Sequence, residues 1–332
     1  MTLKWSDTSG IFPSAAPAMQ QHPCYGAACR ALGAEVLNLS FGRGTAPLAT
    51  AQVVLRRWPL LGRFALVTRG PVWSEQFPPA DRHTALHALV DQLAQRFTGV
   101  ILTPDRDQGR DLLEGRGLLR MMSPFHLAEI DLTGPHSARR AALDQKWRNR
   151  LNRAEASGLQ VKITRLPADP QHWLLRAEAA QSRQRRYSRL PPSFSVAWET
   201  ATPGGTRLFS LYQAGRPIAG ILVLLHAPTA TYHIGWTGPE GRHVSAHNLL
   251  MWQAGCWLAE RGYTGFDLGV LDTETTPGLA RFKLGAGAKP VHLSSTWMRA
   301  PGTAMVARLG AAWSQHWGAV SPGPNGWPGR MS

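Results

Sequence analysis

Apolar positions along the chain switch between two spacings, and the switch predicts the elements. Leu86, Leu89, Val90, Leu93 and Phe97 recur three or four residues apart, which predicts an amphipathic helix over 81–97. Short apolar runs bounded by turn residues predict strands at 52–58, 64–68, 100–103 and 126–132, with a short helix over 23–33 before them. The most charged element is a helix expected over 138–156. There Leu143, Trp147, Leu151 and Ala154 share one side, while Arg140, Lys146, Arg148, Arg150 and Arg153 crowd the others. A strand at 159–164 follows Gly158, and a helix over 171–187 runs into a second basic knot at 181–189. Strands are expected at 206–213, 217–226 and 229–236, a helix over 246–261, a strand at 265–269 and a last strand at 291–298. From residue 301 the pattern allows one helix to about 317, then a Pro/Gly-rich tail of disordered composition.

Residues 265–287 carry the most information. A short strand ends in an acidic, hydroxyl-rich loop, and Thr276 and Pro277 then open a helix, as a cap residue and a first-turn proline do. That helix delivers Phe282 and Lys283 before a stop at Gly285. Taken alone, a Phe-Lys pair reads as a packed aromatic beside a surface lysine. On a strand-loop-helix hinge, a lysine also offers a fixed positive charge to an oxyanion.

At 332 residues the chain is long enough for two domains, and 43% hydrophobic with 17% charged residues fits a folded protein. The net charge is 36 − 21 = +15, which favours polyanionic partners: RNA, nucleotide-linked substrates or an anionic membrane surface. A basic helix face is also what a merely solvated surface shows, and only Asp144 and Glu155 balance the one over 138–156. Three cysteines, Cys24, Cys29 and Cys256, are too few for a disulfide framework and lack metal-ligand spacing; Cys256 reads as core. No histidine pair is joined to a Cys-x-x-Cys pair, so no metal is expected, and His233, His243 and His247 read as core or surface groups. The first 20 residues lack a signal-peptide core, and the longest aliphatic run, 221–225, is far short of the ~20 residues of a membrane span, so a cytoplasmic protein is expected.

The order β-β-β-α-β-α-β in the second half resembles the GNAT acyltransferase architecture, and the first half is a blurred version of it. The fold class expected is α+β: two tandem GNAT-like domains, each a mixed, mostly antiparallel sheet flanked by helices. The divisions expected are 1–165, 166–300 with the active site, and a helix with flexible tail over 301–332. Several segments, in order over about residues 60 to 297, are similar to the FemABX-type peptidyltransferases and the wider FemAB-like GNAT proteins. They are RFALVTRGPVW (63–73), QKWRNRLNRAEASGLQV (145–161), SRQRRYSRLPPSF (182–194), GYTGFDLG (262–269) and GLARFKLGAG (278–287).

The resemblance implies transfer of an aminoacyl group from aminoacyl-tRNA to an amine, typically on a peptidoglycan precursor peptide, with no cofactor beyond that co-substrate. It implies that Lys283 steadies charge at the aminoacyl ester, that Phe282 shapes the site, and that Arg183 and Arg189 meet substrate phosphate. Asp105 falls near a family acidic-proline pair, though in reversed order after Pro104. Asp267 is placed to orient Lys283 or to act as base. A nucleotide-linked or lipid-linked cell-wall precursor, and peripheral contact with the inner membrane, follow as expected partners. The chain lacks the long charged helical hairpin that some members carry. That matches the smaller members, or one that never meets tRNA.

Two other readings stay open. One is an acyl-CoA-dependent N-acyltransferase: Arg242 sits in the 241–247 stretch where GNAT proteins cradle pyrophosphate, but Ser245 and His247 replace the small glycines. The other is a non-catalytic double domain that binds RNA or an anionic surface through its arginine helix, Arg148 included.

Overall fold

A computed structural model of the chain describes residues 4–8, 18–42, 47–105, 107, 109–114, 117–185, 187 and 190–305. The elements run, in chain order, β1 (Trp5–Asp7), α1 (Pro23–Ala31), β2 (Glu35–Phe41), β3 (Ala49–Trp58), β4 (Gly62–Thr68), β5 (Val72–Trp73), α2 (Pro79–Arg96) and β6 (Gly99–Thr103). They continue with β7 (Leu119–Met122), β8 (His126–Asp131), α3 (His136–Ala141), α4 (Gln145–Ala156), β9 (Lys162–Thr164), α5 (Trp173–Arg185) and α6 (Pro192–Ala201). The last group is β10 (Thr206–Gln213), β11 (Arg216–His226), β12 (Thr229–Thr237), α7 (Pro239–His243), α8 (Ala246–Ala259), β13 (Gly265–Leu271), α9 (Pro277–Gly285), β14 (Lys289–His292) and β15 (Thr296–Arg299).

Among the described residues these strands form two mixed sheets, ordered β1-β2-β3-β4-β6-β15-β7 with β5 on β3, and β14-β8-β13-β12-β11-β10-β9. Parallel pairing occurs at β4–β6 and β12–β13, and the named pairs otherwise run antiparallel. The expected fold class, with flanking helices on both sheets, is the one observed. Helix α2 covers the first sheet with the predicted stripe: Leu86, Leu89 and Leu93 are 0% exposed. Truncating any of them to Ala would cost about 2–5 kcal/mol. The second sheet packs α4 and α8 over Phe209, Ile221, Val223 and Phe266.

Sheet membership does not follow a cut at residue 165. β8 lies between β13 and β14 in the second sheet, and α4 packs on that sheet, so the crossing comes before His126. The last strand expected at 291–298 is two strands in different sheets: β14 pairs with β8, and β15 pairs with β6 and β7. The break falls at Ser294 and Ser295, both buried, whose N–H groups donate to Pro104 O (3.2 Å) and Asp111 Oδ2 (2.9 Å). A third tie is the apolar seam where α1 meets α6, built from Ala28, Cys29, Phe194, Ala197 and Trp198. The expected 138–156 helix is also broken. Asp144 caps α4 by accepting from Lys146 N (2.9 Å) and Trp147 N (3.3 Å), and a capped start cannot be a helix interior. The expected helix and tail beyond residue 305 lie outside the described residues.

Candidate active site

Three local devices build the site at the junction of the sheets. The first is a bulge in β13. Gly269 takes φ +77°, a conformation that favours glycine, and its N–H donates to Asp267 Oδ1 at 2.7 Å. The register against β8 shifts between Asp267 and Val270, which turns Val270 O toward α9. Lys283 Nζ donates to that carbonyl at 2.7 Å. The second device is α9 itself. Pro277 occupies its first turn as expected, but the hydroxyl of Thr276 donates back to Asp272 O (3.2 Å) and does not cap the helix. The helix carries Phe282 half-buried and Lys283 only 5% exposed. Burial pulls the Lys283 ammonium down to about 8, with Asp267 pulling the other way. Lys283 is therefore a buried side chain and not a surface lysine.

The third device is the turn after β4. Arg69 adopts φ +55°, its N–H donates to Thr103 O at 2.7 Å, and its side chain is 7% exposed. It donates to Asp105 (3.0 and 3.3 Å), Glu129 (3.3 Å) and Asp267 (3.3 Å). Burial opposes its charge, but the three carboxylates more than reverse that effect and raise its pKa. Asp267 and Glu129 stand opposite each other in the β13–β8 ladder. Burial raises both of their pKa values, and Arg69 only partly restores them. Three carboxylates around one guanidinium leave an excess of negative charge next to the Lys283 ammonium. Asp105 and Glu129 are the more open members, with side chains 41% and 34% exposed against 13% for Asp267.

On the other side of Phe282 lies a cavity of about 400 Å³ lined by Arg150, Arg153, Thr237, Gly241, Arg242, Ser245, His247, Asn248 and Phe282. Arg242 and Thr237 continue into an open cleft of about 790 Å³ with Arg185 and Trp236. Ala177 and Ala180 join that cleft to one of about 670 Å³ carrying Arg176 and Arg183. Together these adjoining clefts form a groove over α4, α7 and α5; the described residues that line it include Arg150, Arg153, Arg242, Arg185, Arg183 and Arg176 and no acidic side chain. At its inner end His247 is pinned between Tyr232 Oη (3.1 Å) and Thr237 Oγ1 (2.9 Å), and its ring lies 5.3 Å from that of Phe282. Burial holds His247 down at about 4, so it is neutral at pH 7.

The structure thus brings Lys283, Phe282, Asp267 and Asp105 together and puts Arg242 and Arg183 on the groove. Arg148 bonds to Gln145 and does not line it; its helix neighbours Arg150 and Arg153 do. Arg189 lies outside the described residues. Sequence reasoning missed Arg69 and Glu129 as site residues; the Arg69-Gly70-Pro71 turn was the available signal for the first, and no local signal marks the second.

Residues 139–284 match the family model for the acetyltransferase (GNAT) domain. This stretch, under half of the chain, is similar to GNAT acyltransferase domains. Its fold is similar to the crystal structure of FemX, with a TM-score of 0.71 at 12% identity over 88% of this chain and 94% of that one. It is also similar to the C-terminal domain of a putative lysylphosphatidylglycerol synthetase from Agrobacterium fabrum (TM-score 0.53, 14% identity, 88% and 91% covered). A tandem GNAT protein from the clavulanic acid biosynthesis pathway gives a TM-score of 0.53 at 13% identity over 90% and 98%. At such identities the likeness is one of fold alone, shared with FemX and with a tandem GNAT protein. No protein of curated function matches the chain in sequence. No helix among the described residues is long and apolar enough to cross a membrane.

Proposed function

We propose that this GNAT acyltransferase is a Fem-like aminoacyltransferase, which forms an amide between the aminoacyl group of an aminoacyl-tRNA and a primary amine. The observation that carries this reading is the groove: arginines spaced along an open, acid-free cleft that ends at Phe282 suit a phosphodiester chain. A single pyrophosphate would occupy only one end of it. His247 argues the same way. Its pinned ring stands where a CoA-cradling loop needs glycine, and narrows the approach to the N-terminus of α8.

In this reading the acceptor arrives as an ammonium ion, drawn to Asp105 and Glu129. A carboxylate there takes its proton, and the free amine attacks the ester carbonyl. A C–N bond forms, and the negative charge on the carbonyl oxygen is met by the Lys283 ammonium. The attacking nitrogen gives up its second proton to another carboxylate of the site, the C–O bond to the ribose breaks, and the ribose oxygen leaves as a hydroxyl with the proton that the first carboxylate had taken. Arg69 favours the ionised form of Asp267, against burial, and holds it beside Lys283. Phe282, between Trp147 (5.8 Å) and His247, walls off the donor end. A nucleotide-linked or lipid-linked cell-wall precursor, met at the inner face of the membrane, supplies an amine of this kind.

The second reading, acyl-CoA as donor, rests on Arg150, Arg153 and Arg242 clustering at the α8 N-terminus. Purified protein incubated with a pool of labelled aminoacyl-tRNAs and, separately, with an acyl-CoA panel decides between them. Amine-dependent loss of the aminoacyl label is expected; CoA release without tRNA deacylation would reverse the assignment.

A further inference from the structure

Away from the groove, a cavity of about 240 Å³ lies between α3, the start of α4, the second half of α8 and the end of α9. Its walls are apolar, with Leu132, Ala142, Trp147, Met251 and Trp252 among them, and it lies just under the size of ordinary small-molecule sites. Two features mark it as more than a packing fault. First, Trp147 is 4% exposed, yet its indole Nε1 has no hydrogen-bond partner among the described residues, and neither has Nε of Arg139 on the same lining. Buried donors of this kind are normally satisfied, and an unpaired one is costly. Second, Gly255 sits inside α8, where glycine weakens a helix, and nothing crowds it: an added Cβ would meet only Leu132 Cδ2, at 3.9 Å. The missing side chain leaves space in the cavity, and its carbonyl accepts from Arg139 Nη1 at 3.3 Å.

The charges on the rim favour an anion. Arg139 and Lys289 both line the cavity. Asp131, the one carboxylate there, already accepts from Thr133 N (2.9 Å) and Thr133 Oγ1 (2.6 Å). We propose that this cavity is a second ligand site, for a small carboxylate with an apolar body. The carboxylate pairs with the Arg139 guanidinium, while the apolar part lies on Met251 and Trp252. Trp147 also contacts Phe282, so an occupant would press on the helix that carries Lys283. The site is separate from the donor and acceptor chemistry above and stands whether or not that reading holds.

Octanoate is the probe, used on the full chain. Cys256, a free thiol on the same lining, reports occupancy through its alkylation by iodoacetamide, read peptide by peptide, with Cys24 as the internal control. Octanoate should slow alkylation of Cys256 at least fivefold, leave Cys24 unchanged, and bind one per chain by calorimetry. Gly255→Leu fills the space with a better helix former, and should abolish both effects while keeping its thermal transition. Arg139→Gln should weaken binding at least tenfold, and decides the matter should Gly255→Leu fail to fold. Absence of octanoate binding, binding that survives Gly255→Leu, or equal protection by octylamine would each overturn the proposal.

Discussion

Replacing Lys283 by Met should make the protein more stable and less active at once. The ammonium is 5% exposed and held at about 8, against 10.5 for an unburied lysine. Keeping it charged at pH 7 therefore costs the fold about 3 kcal/mol. Met preserves the packing of the stem but loses the hydrogen bond to Val270 O, worth about 1 kcal/mol, so the variant should gain about 2 kcal/mol at pH 7. Asp267 keeps its Arg69 and Gly269 contacts in the variant. The sign with pH is fixed, because the folded pKa lies below the unfolded one. The penalty is present in full below about 8 and fades as pH rises toward 10.5, so the advantage of Met should vanish over that window. Urea unfolding from pH 6 to 10.5, followed by tryptophan fluorescence, measures it. Turnover in the donor assay should fall by about 100-fold or more, the usual loss when a charge-stabilising donor is removed. A variant less stable than wild type at pH 7, or a difference that does not change with pH, would refute the argument, because the lysine would then be an ordinary structural ion-pair partner.

Arg69→Leu leaves Asp267, Glu129 and Asp105 without their shared cation, and should cost about 3–5 kcal/mol at pH 8. The folded pKa values of Asp267 and Glu129 are already raised, so their ionised forms are the unfavourable ones, and the loss should shrink as pH falls toward 4.5; chemical unfolding at both pH values checks it. His226, held by burial down at about 3 and bonded to Thr231 at 2.8 Å, remains neutral in the fold while the unfolded chain takes up a proton below 6.5. Wild type should lose about 2–3 kcal/mol more than His226→Gln between pH 6.5 and 4.5, and parallel curves would contradict this. Arg176→Glu with Arg183→Glu should raise the KM for aminoacyl-tRNA about tenfold or more and flatten its salt dependence, with little change in thermal stability, since Arg183 is exposed and both line the open groove. An unchanged KM would remove that stretch of the groove from the donor path.

What was legible in the sequence divides by range. The α2 stripe was readable because its periodicity is local and buries one face, and the strands β10–β12 because their apolar runs are bounded by turn residues, β11 being buried on both faces. The same was true of α9 with Phe282 and Lys283, since Pro277 and Gly285 punctuate it within nine residues. The break between α3 and α4 was locally encoded too, in Asp144 followed by Gln145-Lys146-Trp147, but the arginines on either side made a single basic helix look continuous. β2 and α6 were missed outright. α6 begins in a Pro-Pro pair that reads as a loop, and its burial depends on α1, more than 160 residues earlier in sequence.

The Arg69 cluster shows why the centre of the site was the least legible part. Asp105, Glu129 and Asp267 come from segments that share no local pattern; the family resemblance alone pointed to Asp105 and Asp267, and nothing pointed to Glu129. What assembles them is the sheet exchange. The break at Ser294 and Ser295 sends β14 to the second sheet and β15 to the first, and the bridge between Leu293 and Asp105 ties that crossing to the loop after β6. Asp105 is thereby set beside Arg69 at the end of β4, while β8 carries Glu129 under Asp267. A continuous strand over 291–298 would satisfy the same alternating pattern without joining the sheets, and would leave Arg69 facing one carboxylate from its own sheet in place of three. The alternation of side chains thus identifies the strands, but the negative charge facing Lys283 depends on which sheet each strand enters. The crossing is held at residues 294 and 295, whose backbone N–H groups donate to Pro104 O and Asp111 Oδ2.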